Sequence, residues 1–505
     1  MSTPAPAQAR LDDPVVAGAT RAIGGPAGRH ADPTRRRWTP VRWLVLITLL
    51  TSLLGFWQKS PCRVHPWTEQ YQYTRACYTD VFALYFAERL SDGATPYLDH
   101  PVEYPVVIGG VMAVAAGVTE VFPENEGPRR FYDVTWALLT ACAVVVVFTT
   151  ARLAGRRRVW DAAMFAAAPL LVIHGSTNWD LGAMALAGLG LVQWARARPL
   201  AAGLLLGAAT ATKLYPLLCL VPLLALCLRA GRLRAFAVTA MATVLTPIAL
   251  SVPVYLVSPS YAEVGGVQTA VAGTPLSRLG AEGLAALAPH TVAVAQDGTV
   301  VEGVNAAYRF VELNRERPAD WDSLWFALQT ARGLPLDSGD GAPAILNAGV
   351  AVTLLLALAG VVLLAWKAPR RPRLMPLLFL TVLAFLITNK VWSPQFSLWL
   401  VPLALLARPR WRPFLAWQVA EVLVLLSRFY FFVGNSVPGE GIPVGAFLTA
   451  VLLRDAALLV LVALVVREVL HPERDVVRAE GADDPAGCVL DGAPDQRRSY
   501  ETASA

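Results

Sequence analysis

The chain is poor in charge and in metal-binding patterns. Only 16% of its 505 residues are Asp, Glu, Lys or Arg, while 55% are hydrophobic. That balance excludes an ordinary soluble domain, in which about a quarter of residues are charged. None of the six cysteines falls in a CxxC or Cys/His spacing, so no structural zinc site or thiol redox motif is written here. The apolar runs lack period-two alternation, which excludes a membrane β-barrel. No internal repeat is legible, and the inverted repeats of many secondary transporters are therefore not indicated.

What is present is a series of continuous Leu/Ala/Val-rich runs, with a mean hydropathy of +0.48. At about 20 residues per crossing, they call for an all-α, polytopic membrane helical bundle. The net charge is +6, but the basic residues stand in short clusters at the ends of runs: 152–158, 196–198, 229–234, 367–373 and 408–412. That is the pattern of cytoplasmic loops in a plasma-membrane protein, not of a nucleic-acid-binding surface.

Placing those clusters inside orients about 12 spans, near 41–58, 131–151, 159–173, 181–195, 199–212, 214–228, 235–257, 344–366, 374–390, 396–407, 413–433 and 443–466. Residues 1–37, rich in Ala, Pro, Gly and Arg, read as a disordered cytoplasmic tail, and 467–505 as a second one. The span domain, 38–466, then has two large outer loops, 59–104 and 258–343. The apolar run 105–122 is expected to lie along or re-enter the membrane, with a full crossing as the alternative. Within 258–343, residues 308–329 mix aromatic and charged side chains at helical spacing, as an interfacial helix does.

The polar residues that interrupt the apolar pattern collect on the outer side. Asp80 stands in the first outer loop, as do Cys62 and Cys77, whose shared polar setting favours a disulfide over two free thiols. His174, Asn178 and Asp180 occupy an HGSTNWD turn, and Lys213 the outer end of a helical hairpin. Asn389, Lys390 and Gln395 form another outer turn, and Arg309 lies in the long loop. Outer lysines oppose the charge bias that orients the chain, and an anionic ligand at the outer face is a natural reason for them. Each residue also has a plainer role open to it. Asp80 or Asp180 can cap the helix that follows, and the lysines can reach headgroups.

The motifs resemble those of multi-spanning GT-C glycosyltransferases, and among them glycosyltransferase family 87, a group of actinobacterial mannosyltransferase-like proteins. The matching stretches are YTD at 78–80 with VFALYFAERLSDGATPY after it, VEYP at 102–105, GLLLGAATATKLYPLL at 203–218 and SPQFSLWLVPL at 393–403. The resemblance implies a hexosyltransferase, with mannose the first sugar to expect, working on the outer face with both termini cytoplasmic. Its donor would be a polyprenyl-phosphate sugar and its acceptor a glycolipid or polysaccharide. The general base would be Asp80, with Glu103 in reserve. Lys213 would meet the donor phosphate, and Asn389 and Gln395 would contact sugar or phosphate. Outside the resemblance, Lys390, Asp180, His174, Arg309 and Tyr104 are added as substrate contacts from their place on the outer side. The HGSTNWD turn departs from the group's Asn-Gly-Gln-like stretch. No cofactor is implied, and a divalent metal is left open. A transporter or flippase for a lipid-linked sugar is the rival reading.

Overall fold

The computed structural model describes residues 39–65, 67–122, 126–264, 267–294, 298–336, 343–479 and 483–496. The tail expected over 1–37 lies outside them. The chain divides after Trp43, and the unit from Leu44 onward contains the bundle.

Helix α1 (Pro40–Val64) continues past the expected end of the first span, which puts Lys59 on it. Near its end, Cys62 is joined to Cys77 by a disulfide. Helix α2 (Asp80–Ala87) begins at Thr79, whose Oγ1 accepts from the Val81 amide at 3.3 Å and donates to the Ser176 carbonyl at 2.8 Å. A threonine cap satisfies one of the amides that a helix start leaves without a partner.

Helix α3 (Val106–Thr119) has 14 residues. At 1.5 Å per residue it is about 21 Å long, short of a bilayer core of about 30 Å. Its start is fixed by Tyr97, a buried residue with φ of +69°. The Tyr97 hydroxyl donates to the carbonyls of Tyr104 and Pro105, each at 3.0 Å, and its ring lies where a Cβ on Gly109 would stand. Gly109→Ala is therefore expected to cost about 1–3 kcal/mol through overpacking. A thermal-unfolding midpoint equal to the parent's, in the same detergent, would contradict this.

Helices α4 (Gly127–Ala154), α5 (Pro169–His174), α6 (Asp180–Trp194), α7 (Pro199–Thr212), α8 (Leu220–Ala230) and α9 (Leu233–Val257) follow the expected order. The span expected at 159–173 differs. It is broken into short pieces at 159–162, 163–166 and 169–174. Pro169 cannot continue a helix from the preceding turn, and the freed amide of Leu170 donates to Gln418 Oε1 at 3.2 Å. Broken backbone of this kind is tolerated at membrane depth only inside protein, and Phe165, Ala166, Ala168 and Leu170 are fully buried. Helices α7 and α9 approach closely: Thr243 Oγ1 donates to the Gly203 carbonyl at 3.4 Å, and a Cβ on Gly207 would strike Thr246 and backbone carbonyls of α9.

The outer segment 258–343 adds an unexpected element to the helical bundle. It contains a four-stranded antiparallel sheet, β1 (Ser260–Val264), β2 (Val267–Ala272), β3 (His290–Val294) and β4 (Val300–Asn305), in the order β2-β1-β4-β3. The strands are rich in Val, a residue suited to a half-buried pleated surface. Helix α10 (Pro275–Glu282) lies between β2 and β3 in sequence. The interfacial helix expected at 308–329 is two helices, α11 (Arg309–Glu316) and α12 (Leu324–Arg332). Pro318 separates them, since a proline disfavours helical backbone in the residue before it. Tyr261 of β1 donates its hydroxyl to the Leu98 carbonyl at 2.9 Å, which ties the sheet to the first outer loop.

Helices α13 (Ala344–Lys367), α14 (Leu374–Thr388), α15 (Ser397–Ala407), α16 (Trp411–Ser436) and α17 (Val444–Leu470) complete the bundle. Of the described helices, six are long and apolar enough to cross a membrane: α1, α4, α9, α13, α16 and α17. Other expected spans are shorter apolar helices of 10–17 residues, and some, such as α14 and α15, are nearly all buried in the bundle.

The C-terminal segment also departs from expectation. Instead of a disordered tail, residues 471–479 and 483–496 lie against the basic clusters that orient the chain. Asp475 accepts two bonds from Arg373, at 2.7 and 3.1 Å, and Asp495 two from Arg229, both at 2.7 Å. Arg229 and Arg373 are buried, so each needs its carboxylate. Deleting residues 471–505 is expected to lower the unfolding midpoint by several degrees. A truncated chain that melts with the full-length protein would refute this role for the tail.

Candidate active site

Three turns far apart in sequence meet at Asp80. The first is the start of α2, where Asp80 follows the capping Thr79 and its own amide donates to the Thr177 carbonyl at 2.9 Å. Thr79 thus fills the cap role that Asp80 could have served, and the Asp80 carboxylate is left to side-chain partners. The second is the 174–180 turn, anchored by Tyr132 Oη at 2.9 Å from Ser176 Oγ. From it, Asn178 Nδ2 donates to Asp80 Oδ2 at 2.8 Å and to Tyr104 Oη at 2.7 Å. The third is the Ser393-Pro394-Gln395 turn before α15, from which Gln395 Nε2 reaches the same Asp80 Oδ2 at 3.1 Å. Two amide donors therefore converge on one carboxylate oxygen.

This junction lines a cavity of about 380 Å³, large enough for a sugar and a phosphate. Lys213 lines it as well. It is the residue at which α7 ends and the chain turns extended (φ −146°, ψ 142°). Lys213 Nζ lies 3.6 Å from Asp180 Oδ1, 5.0 Å from the centre of the Tyr104 ring and 5.4 Å from that of Phe396. Asp180 itself is fully buried behind the lining, and its Oδ1 accepts from Trp399 Nε1 at 2.8 Å. Tyr215, Trp399 and Phe396 form a three-ring stack beneath, with centroids 4.2 and 4.4 Å apart.

Glu103 also faces the cavity and pairs with Arg317 at 2.9 Å. Burial raises its carboxyl pKa above the usual range, and the Arg317 charge offsets part of that rise. Burial followed by the Asp80 charge likewise raises the Tyr78 and Tyr104 phenols, so both stay protonated and can donate. Among the described residues, no three His, Cys, Asp or Glu side chains are grouped as metal ligands would be.

Of the residues picked from the sequence, Asp80, Glu103, Tyr104, His174, Lys213, Asn389 and Gln395 line the cavity. Asn389 holds its own turn through a 2.8 Å bond from Nδ2 to the Val391 carbonyl. Lys390 and Arg309 are not brought to the cavity. Lys390 Nζ donates to the Arg315 and Arg317 carbonyls at 3.0 and 2.6 Å, which ties the 389–395 turn to the outer segment. Arg309 pairs within α11 with Glu312 and Glu316, at 3.1 and 3.3 Å. Three cations on the lining, Lys59, Arg317 and Arg428, were not foreseen. Arg428 had a legible signal: it is a charge inside the apolar run 413–433, and intramembrane charges mark function by default.

Comparison with known proteins bears on the middle of the chain. No curated protein matches it. Among solved structures, the apo oligosaccharyltransferase of Archaeoglobus fulgidus is similar at 13% identity and a TM-score of 0.35, over 85% of this chain and 56% of that one. This chain thus spans little more than half the length of that protein. Residues 128–264 match the model of glycosyltransferase family 87. The segment from α4 to β1, which holds the HGSTNWD turn and Lys213, carries the signature of glycosyltransferase family 87 in a multi-pass helical membrane protein.

Proposed function

We propose that this protein transfers a hexose, mannose being the first to test, from polyprenyl phosphate to a hydroxyl of a glycolipid or polysaccharide. The reaction takes place at the outer face of the plasma membrane, with both termini in the cytoplasm. The observation that carries this reading is the Asp80 carboxylate, held by Asn178 and Gln395 in a cavity that Lys213 also lines.

The chemistry is a single inverting displacement. The acceptor hydroxyl attacks the anomeric carbon, the bond from that carbon to the phosphate oxygen breaks, and the polyprenyl phosphate leaves with the electron pair. With Asp80 Oδ2 taken by two amides, Oδ1 accepts the hydroxyl proton as the new bond forms. Lys213 balances charge on the departing phosphate. One base is enough, because no covalent intermediate forms that would need a second carboxylate. Leu214 supports a lipid donor: it lines the cavity beside Lys213 and is 53% exposed, so that wall opens outward on an apolar side chain.

The test uses purified protein in nanodiscs, labelled polyprenyl-phosphate hexoses as donors and a lipid and glycan extract as acceptor. The expected result is label in a lipid or polysaccharide product. Absence of transfer from every polyprenyl-phosphate hexose, with transfer from a nucleotide sugar, would refute the donor assignment. ATP- or gradient-driven movement of a lipid-linked sugar without bond formation would favour the flippase reading.

A further inference from the structure

The cavity has a second set of polar residues besides those around Lys213. His174, at the end of α5, is 1% exposed yet lines the cavity, and neither of its ring nitrogens has a hydrogen-bond partner among the described residues. A buried imidazole without partners is rare, because buried polar groups are almost always hydrogen-bonded. The cations that line the cavity on the same side are already engaged. Lys59 Nζ donates to the Tyr78 carbonyl at 2.7 Å, and Arg428 pairs with Asp322 at 2.8 Å and Asp320 at 3.7 Å. Aromatic rings line the cavity as well. Tyr73 lies 5.9 Å from Tyr78, 5.5 Å from Phe429 and 5.3 Å from Phe432, between ring centres.

These features describe a site for a neutral, hydroxyl-bearing ring. A neutral imidazole offers one donor and one acceptor, the complement of a sugar hydroxyl, and aromatic faces accept the apolar face of a pyranose. Arg428 already has Asp320 and Asp322 as counter-charges, and Lys59 is turned to a backbone carbonyl. Lys213 has one carboxylate partner at 3.6 Å and two ring faces. We infer that the wall formed by His174, Tyr73, Tyr78 and Phe429 binds the acceptor as an uncharged hexopyranose unit, while the Lys213 wall takes the donor phosphate. This division rests on the proposed transferase reading and assigns to each substrate a different wall of the cavity that Asp80 also lines.

The test is direct binding to the full chain in nanodiscs, followed by saturation-transfer NMR. The probes are methyl hexopyranosides with their disaccharides, and, separately, farnesyl phosphate. The expected result is that His174→Ala and Phe429→Ala weaken the best sugar probe at least about tenfold, the scale of one lost ligand hydrogen bond or ring contact, and leave farnesyl phosphate unchanged. Lys213→Met should do the reverse, and His174→Gln should recover part of the sugar affinity. Tyr73→Ala, on a half-buried ring, serves if His174→Ala does not fold. The inference is overturned if the parent binds none of the sugars, if sugar affinity is the same in the His174 and aromatic variants, or if those variants lose farnesyl phosphate instead. Failure of the transferase reading would look different: no transfer by the parent protein, with sugar binding still dependent on His174.

Discussion

Asp80→Asn is expected to reduce glycosyl transfer by about 10³-fold, within the range for loss of a positioned general base, while leaving the fold intact. The orientation of the new amide can be derived. Asn178 Nδ2 and Gln395 Nε2 both donate to the position of Asp80 Oδ2, so the oxygen of the substituted amide must sit there. Its NH2 group then points to where Oδ1 was and can only donate to an incoming hydroxyl. The side chain keeps its volume and its bonds to Asn178 and Gln395, and the proton acceptor is gone. Asp80→Ala should be no more active but less stable, because it leaves two amide donors without their acceptor. Rates of labelled-sugar transfer, together with unfolding midpoints, check both outcomes. Full transfer by the Asp80→Asn variant would move the base assignment to Glu103.

The second large effect is expected at Lys213, and here stability and activity can be separated. Lys213→Met removes the cation beside Asp180, a fully buried carboxylate whose other partner is the Trp399 indole. Breaking a buried pair on one side typically costs about 3–5 kcal/mol. The single variant should therefore be both destabilised and inactive. Pairing it with Asp180→Asn replaces the stranded charge by a neutral amide that still accepts from Trp399, so the double variant should regain most of the lost stability. If Lys213 holds the donor phosphate, it should regain little transfer. A double variant with normal transfer and normal donor KM would show Lys213 to be a structural partner of Asp180 alone.

Much of the bundle was legible because membrane spans are written locally. The helices from 181–257 and 344–466 fall within a few residues of the expected runs, since each reflects a continuous apolar run with basic residues clustered near its ends. What was missed depended on partners elsewhere in the chain. Residues 471–479 and 483–496 read as tail because their carboxylates have no local apolar support. Arg229 and Arg373, more than a hundred residues away in sequence, are what order them. The outer sheet was missed because its strands are five or six residues long, too short to show a period. Lys390 and Arg309 were expected at the substrate from their charge and outer position. Their nearest partners are the Arg315 and Arg317 carbonyls for one and two glutamates of α11 for the other, and no charge pattern alone predicts which cations are so engaged.

The sequence by itself determined that this is a helical membrane protein, where its arginine clusters fall, and that Asp80, the 174–180 turn, Lys213 and the 389–395 turn stand at the same ends of their spans. Apolar length and charge placement are local properties, so they survive without a fold. Only the tertiary structure decided which of those turns touch. It joined Asn178 and Gln395 on one oxygen of Asp80, moved Asp180 behind Lys213, and left His174 facing the cavity without a partner among the described residues. Such choices depend on distances between residues up to 315 positions apart in the chain, and these are set by how the helices pack.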